Sequence, residues 1–132
     1  MKIIIAGGRD LNNYPLVVKT MSEICDKYIP PTYLEEVVFV SGGAKGADAL
    51  GEAWVSSRMA HPSYKTWKQV VFAADWDKHG KAAGPIRNAE MADYADMCVV
   101  FWDGKSKGYS NMIQTALKKG LLVKVVYYGG TA

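Results

Sequence analysis

Short apolar runs alternate with amphipathic stretches along the whole chain. Lys2 to Ala6 is a β-branched run closed by Gly7-Gly8, the pattern of a buried strand ending in a turn. Asn13-Tyr14-Pro15 then supplies a polar cap and an early-turn proline, and Val17, Met21, Ile24, Cys25 and Tyr28 share one helical face until Pro30-Pro31. Val37 to Val40 predicts a second strand, followed by a helix whose Ala47, Leu50, Trp54 and Val55 align until about His61-Pro62. Gln69 to Ala73 reads as a third strand, and the polar stretch from Asp75 to Gly84 as a long functional loop. A helix is expected from Pro85, with Ile86, Ala89, Met91, Ala92 and Ala95 as its apolar or small packing positions. Met97 to Trp102 is the fourth strand. Tyr109 to Lys119 predicts a helix with Met112, Ile113, Ala116 and Leu117 inward and Gly120 as its cap, and Leu121 to Tyr127 completes the set as a fifth strand.

This alternation predicts an α/β fold: a single Rossmann-like three-layer domain over residues 1–132, with a mostly parallel sheet of about five strands. In such a sheet ligands bind at the carboxyl ends of the strands, near the switch in strand order. The 132 residues suffice for one ordinary domain and its core. Hydrophobic residues at 49% and charged residues at 22% are ordinary for a folded soluble protein. The longest apolar runs fall well short of the roughly 20 residues of a spanning helix, so no membrane partner is expected. Met1-Lys2 leads straight into the first strand without a signal peptide's apolar region and cleavage site, so the expected location is the cytoplasm. Cys25 and Cys98 lie in apolar patterns without CxxC spacing, and His61 and His79 lack nearby ligands; reduced thiols, no metal and no cofactor are expected. A net charge of +3 without a basic block gives little reason to expect nucleic acid.

The candidate chemistry sits in four glycine-bearing turns. The first, Gly7-Gly8-Arg9-Asp10, lacks the GxGxxG dinucleotide fingerprint; Gly8 allows close approach and Arg9 can pair with a phosphate or merely tie loops together. The second, Ser41-Gly42-Gly43-Ala44-Lys45-Gly46-Ala47-Asp48, joins a strand to a helix without the P-loop order. Its backbone can form an anion nest or simply a tight connection, and Asp48, an acid in a first helical turn, is placed nearer a ribose hydroxyl. The third region carries Trp76, Lys78, His79, Lys81, Gly84, Arg87 and Asn88, a mixture of cations and an aromatic face that can stack a base and hold a phosphate. The fourth, Asp103-Gly104-Lys105-Ser106-Lys107-Gly108, leads into Tyr109-Ser110-Asn111; Ser106, Ser110 and Asn111 offer hydrogen bonds, or one of Ser110 and Asn111 caps the helix.

Taken together, Gly-Gly-Arg-Asp, Ser-Gly-Gly-Ala-Lys-Gly-Ala-Asp, Ala-Asp-Trp with Gly-Lys-Ala-Ala-Gly-Pro-Ile-Arg-Asn, and Trp-Asp-Gly-Lys-Ser-Lys-Gly resemble the YspA-like branch of the SLOG superfamily, named for the SMF/DprA and LOG proteins. The resemblance runs from about Lys2 to Tyr128 and implies a Rossmann-like sheet that recognises nucleotides or nucleotide-derived ligands. LOG members are phosphoribohydrolases with an Arg-Lys-x-x-Met stretch and a Pro-Gly-Gly-x-Gly-Thr-x-x-Glu loop. Arg87-Asn88-Ala89-Glu90-Met91 is similar to the former, which makes Arg87 the carried-over candidate. The latter departs: Tyr109 stands at the Thr position and Met112 at that of the catalytic Glu, so hydrolysis would need another acid, Asp103 or Glu90.

Three functions follow from the resemblance and the turns. The first is binding or sensing of a nucleotide-derived phosphorylated ligand through Gly8, Arg9, Ser41, Gly42, Gly43, Ala44, Gly46, Lys81, Gly84, Arg87, Asn88, Gly104, Ser106 and Gly108. Asp48 or Asn111 would then meet the ribose and Trp76 or Trp102 the base. The second is LOG-like hydrolysis of a nucleoside monophosphate, and the third DprA-like binding of single-stranded nucleic acid. The LOG resemblance also implies a possible homodimer.

Overall fold

The structure is a computed structural model that describes residues 1–29 and 36–128. Five strands, β1 (Lys2–Gly7), β2 (Val37–Ser41), β3 (Trp67–Val71), β4 (Met97–Trp102) and β5 (Leu122–Tyr127), form one sheet in the order β3-β2-β1-β4-β5, with every neighbouring pair parallel. The helices are α1 (Tyr14–Tyr28), α2 (Ala47–Met59), α3 (Trp76–His79), α4 (Ala83–Tyr94) and α5 (Lys107–Lys118).

Successive side chains of a strand point to opposite faces, and β1 shows both being used. Ile3 and Ile5 pack with Val17 and Met21 of α1 and with Trp54 and Val55 of α2. Ile4 and Ala6 pack with Met91 and Ala92 of α4 and with Met112 and Ala116 of α5. The result is the three-layer Rossmann-like arrangement, with β1 and β4 buried at every position but Lys2 and Trp102 because helices cover them on both sides. The strand order switches across β1, whose β2 and β4 neighbours lead outward in opposite directions, and all strand carboxyl ends face one edge.

Several elements differ from their sequence patterns for local reasons. β3 begins at Trp67, not Gln69, because Trp67 pairs with Val37 and its ring sits 4.7 Å from Phe39 and 5.6 Å from Trp54, an aromatic contact with no linear signature. The stretch from Asp75 to Gly84 is not a loop: Asp75 caps α3 by accepting from the Lys78 N–H, and a 3₁₀ turn at Gly80–Ala82 runs directly into α4. α4 therefore starts at Ala83 and not at Pro85. α5 starts at Lys107 after Ser106, so neither Ser110 nor Asn111 is its cap. Ile86 and Leu117, expected inward, are exposed, since the inward rows of α4 and α5 are taken by Asn88, Met91 and Ala92 and by Met112 and Ala116. The Pro30-Pro31 stop lies outside the described residues.

Candidate functional site

The turns after β1, β2 and β4 and the start of α4 converge at the carboxyl edge, and hydrogen bonds stitch them pairwise. Gly8 is the central knot: its N–H donates to the Phe101 carbonyl at 3.0 Å, and its own carbonyl accepts from the Ala47 N–H at 3.0 Å. A Cβ at Gly8 would collide with the hydroxyl of Tyr128, which donates to Asp10 Oδ1 at 2.6 Å. Gly46 has φ +72°, and a Cβ there would strike the Gly8 carbonyl and stand 2.7 Å from Arg9 Cα. The first two turns can lie this close only because both positions lack a side chain.

The second turn is held from inside. Asp48, 2% exposed, accepts from the Gly42 N–H at 2.9 Å and the Ala44 N–H at 3.5 Å through Oδ2, while the Gly43 N–H points to Ser41 Oγ at 3.4 Å. Ser41 Oγ donates to Glu52 Oε2 at 2.7 Å on the side away from the crevice. Of the two readings of this turn, an anion nest or a tight connection, these bonds favour the second for Gly42 and Ala44, whose N–H groups meet the Asp48 carboxyl. Burial pushes the Asp48 carboxyl above the usual carboxylate range, opposed by the Gly42 and Ala44 N–H groups and by Arg87; Asp48 Oδ1 is buried without a partner among the described residues.

Arg87 and Asn88 join the remaining turns. The Arg87 guanidinium donates from Nη1 to the Gly42 carbonyl at 2.9 Å and from Nε to Asn88 Oδ1 at 3.1 Å. Asn88, buried, donates from Nδ2 to Asn111 Oδ1 at 3.1 Å and to the Gly108 carbonyl at 3.4 Å. α4 continues the 3₁₀ turn, and the Ala83 N–H already bonds Gly80 O, so charge reaches the crevice through the Arg87 side chain and not through a free helix start at Pro85. In the fourth turn Asp103 Oδ1 accepts from the Lys105 and Ser106 N–H groups, each at 2.8 Å. The Ser106 N–H, with that of Lys105 behind it, holds the Asp103 carboxyl below its usual range, so it acts as an ionised loop clamp. Trp102 Nε1 donates to the Ser106 carbonyl at 3.0 Å, which holds this indole within the loop.

Two cavities open between these parts. The larger, about 570 Å³, is bounded by Gly8, Arg9, Asp10, Trp76, Lys81, Gly84, Pro85, Arg87, Asn88, Asp103, Ser106, Lys107, Gly108, Tyr109 and Asn111. The half-exposed Trp76 lies near Gly84, where an added Cβ would meet the ring at 3.5 Å in ordinary contact, and the Arg9 guanidinium is 6.0 Å from the ring centroid. The smaller cavity, about 420 Å³, adjoins it through Arg9, Trp76 and Arg87 and is otherwise walled by Gly42, Gly43, Ala44, Lys45, Ala73 and Ala74.

Most of the candidate residues thus face one crevice. Others do structural work beside it: Ser41, Gly46 and Asp48 hold the second turn, Gly104 lies under the Tyr127 ring, and Ser110 Oγ accepts from Gln114 on α5. Glu90 is exposed and lies outside both cavity walls. Sequence reasoning did not select Asp10, Pro85, Lys107 and Tyr109 in the larger wall, nor Lys45, Ala73 and Ala74 in the smaller. Tyr109 had a signal, its place at the LOG Thr position; burial and the nearby Asp48 charge raise its hydroxyl above the usual range. Ala73 and Ala74 matter only by being small, which no motif announces. Among the described residues no three His, Cys, Asp or Glu side chains cluster to hold a metal ion, and no helix is long and apolar enough to cross a membrane.

Comparison with known proteins places this geometry in context. The family model described as the YspA, cpYpsA-related SLOG family matches residues 1–79. The Gene 61 protein of Mycobacterium phage D29 is 38% identical over 88 residues, which cover 66% of this chain and 69% of the phage protein. No solved structure matches significantly.

Proposed function

The chain belongs to the YspA, cpYpsA-related SLOG family, and from that premise we propose that it binds or senses a nucleotide-derived, phosphorylated ligand at the carboxyl edge of the sheet. The observation that carries this reading is Arg87, fixed by the Gly42 carbonyl and Asn88, facing a cavity of about 570 Å³ opposite the Trp76 ring. A guanidinium held in advance loses little side-chain entropy on gripping a phosphate and presents several N–H donors in a planar fork. The base lies on Trp76, because Trp102 is committed to its loop. Asn111 and Ser106 are the ribose contacts, because Asp48 is buried under the second turn.

Binding is favoured over hydrolysis because Met112, at the position of the LOG glutamate, is buried in the core, so the acid that would activate water or support a cationic sugar is missing from its place. The test is a thermal-shift panel of nucleoside mono- and diphosphates, with the same mixtures assayed for free base by chromatography. The expected result is a rise in melting temperature for one or more nucleotides, abolished by Arg87→Ala, without base release. No shift across the panel would overturn the nucleotide pocket, and sustained base release lost in Arg87→Ala would overturn binding alone.

A further inference from the structure

We infer that the ligand extends beyond its first phosphate and carries a second anionic group into the smaller cavity, between Lys45 and the two arginines. This rests on the reading of the larger cavity as a nucleotide site.

The two cavities share Arg9, Trp76 and Arg87, so one ligand can occupy both by passing between the guanidiniums. Their chemistry differs. The larger wall mixes cations with Asp10 and Asp103 and with the amides of Asn88 and Asn111, a surface suited to the neutral hydrogen-bonding edges of a base and sugar. The smaller wall carries Arg9, Lys45 and Arg87 and, among the described residues, no acid; the rest is Trp76, glycine and alanine. Three cations on a concave wall that holds no acid raise the local concentration of anions, with the buried Asp48 behind Gly42 offsetting part of the Arg87 charge. The volume of about 420 Å³ is also far more than one water-sized group needs, at about 30 Å³ per water.

Arg87 cannot serve the smaller cavity by swinging away from the larger one, because its bonds to the Gly42 carbonyl and Asn88 hold it at the boundary. A single phosphate at that boundary would leave Lys45 without a role. In the second turn the Gly42 and Ala44 N–H groups are turned to Asp48, which leaves the Lys45 ammonium as the charged group this turn offers to an anion. A second phosphate, or a phosphorylated extension, meets Lys45 while the first stays between Arg9 and Arg87. The class of ligand is therefore a nucleotide with at least two anionic groups in series.

Isothermal titration of the full chain with the mono- and diphosphates of adenosine, guanosine, cytidine and uridine tests this. For the base that binds, the diphosphate is expected to bind about tenfold more tightly than the monophosphate, the size of one charge-assisted contact. Lys45→Ala, an exposed position that leaves folding intact, should lower diphosphate affinity by about tenfold and monophosphate affinity by less than about twofold. Ala44→Trp, which fills the smaller cavity, should act in the same selective way. Equal affinity for mono- and diphosphates, or an equal loss of both in Lys45→Ala, overturns the extension and leaves the nucleotide reading standing. Binding of none of the eight nucleotides overturns both.

Discussion

Replacing Asn88 by alanine should loosen the whole crevice, because this one side chain ties three of its parts together. Asn88 accepts from Arg87 Nε at 3.1 Å and donates to Asn111 Oδ1 at 3.1 Å and to the Gly108 carbonyl at 3.4 Å. A neutral hydrogen bond contributes about 0.5–1.5 kcal/mol net and one to a charged group about 1.5–3 kcal/mol. The 3.4 Å bond is long and counts for little, and Arg87, half-buried, recovers part of its loss from water. The expected destabilisation is therefore about 2–3 kcal/mol. At roughly 3–5 °C per kcal/mol for a chain of this size, the melting temperature should fall by about 6–15 °C. Asn88→Asp separates the contributions: it keeps the acceptor for Arg87 but turns a second acceptor toward Asn111 Oδ1 and the Gly108 carbonyl. It should still destabilise the fold at neutral pH despite its closer charge match to Arg87. Urea denaturation at constant m-value reads both variants. An Asn88→Ala variant within about 0.5 kcal/mol of the parent would refute the claim that this amide holds the α4 and α5 starts together.

Two further outcomes follow from the second turn. Gly46→Ala should cost about 3 kcal/mol or more, since φ +72° is unfavourable for alanine and the new methyl strikes the Gly8 carbonyl; thermal melting checks this, and an unchanged midpoint would contradict the close packing of the first two turns. Asp48 has a carboxyl raised by burial, so its contribution to stability is greatest in acid, below its unfolded value, and declines as pH rises through the raised folded value. Asp48→Asn should accordingly flatten the pH dependence of stability on the acid side, measured by urea midpoints between about pH 4 and pH 7; an identical profile in parent and variant would show that the ionisation of Asp48 is not coupled to folding.

Elements buried on both faces were the most legible. β4 has the limits its pattern predicts, Met97–Trp102, because its apolar run is bounded by Asp96 and Asp103. The start of α4 was misplaced because Ala82-Ala83-Gly84 carries no polar cap and the preceding 3₁₀ turn feeds the helix directly. In the crevice, Arg87 and Asn88 stood out by residue type at a helix start. What remained hidden were contacts set by tertiary packing: the Tyr128 bond to Asp10 spans 118 residues, and the Asp48 bond to the Gly42 N–H depends on a turn conformation that a glycine-rich sequence leaves open. The same composition suits a backbone that points its N–H groups outward to an anion or inward to a carboxylate, and only burial of Asp48 decides between them.

The walls of the two cavities are unevenly distributed along the chain. Apart from Arg87, every residue of the smaller cavity lies within residues 1–79, the stretch matched by the family, whereas the larger cavity draws most of its wall from Lys81 to Asn111. On the ligand assignment proposed above, Lys45 and the stacking ring of Trp76 lie in the matched segment, whereas Arg87 and the ribose contacts Ser106 and Asn111 lie beyond it. A chimera that keeps the first 79 residues and takes its remainder from another family member would keep the outer phosphate's lysine and the base's platform while exchanging the grip on the inner phosphate and the sugar.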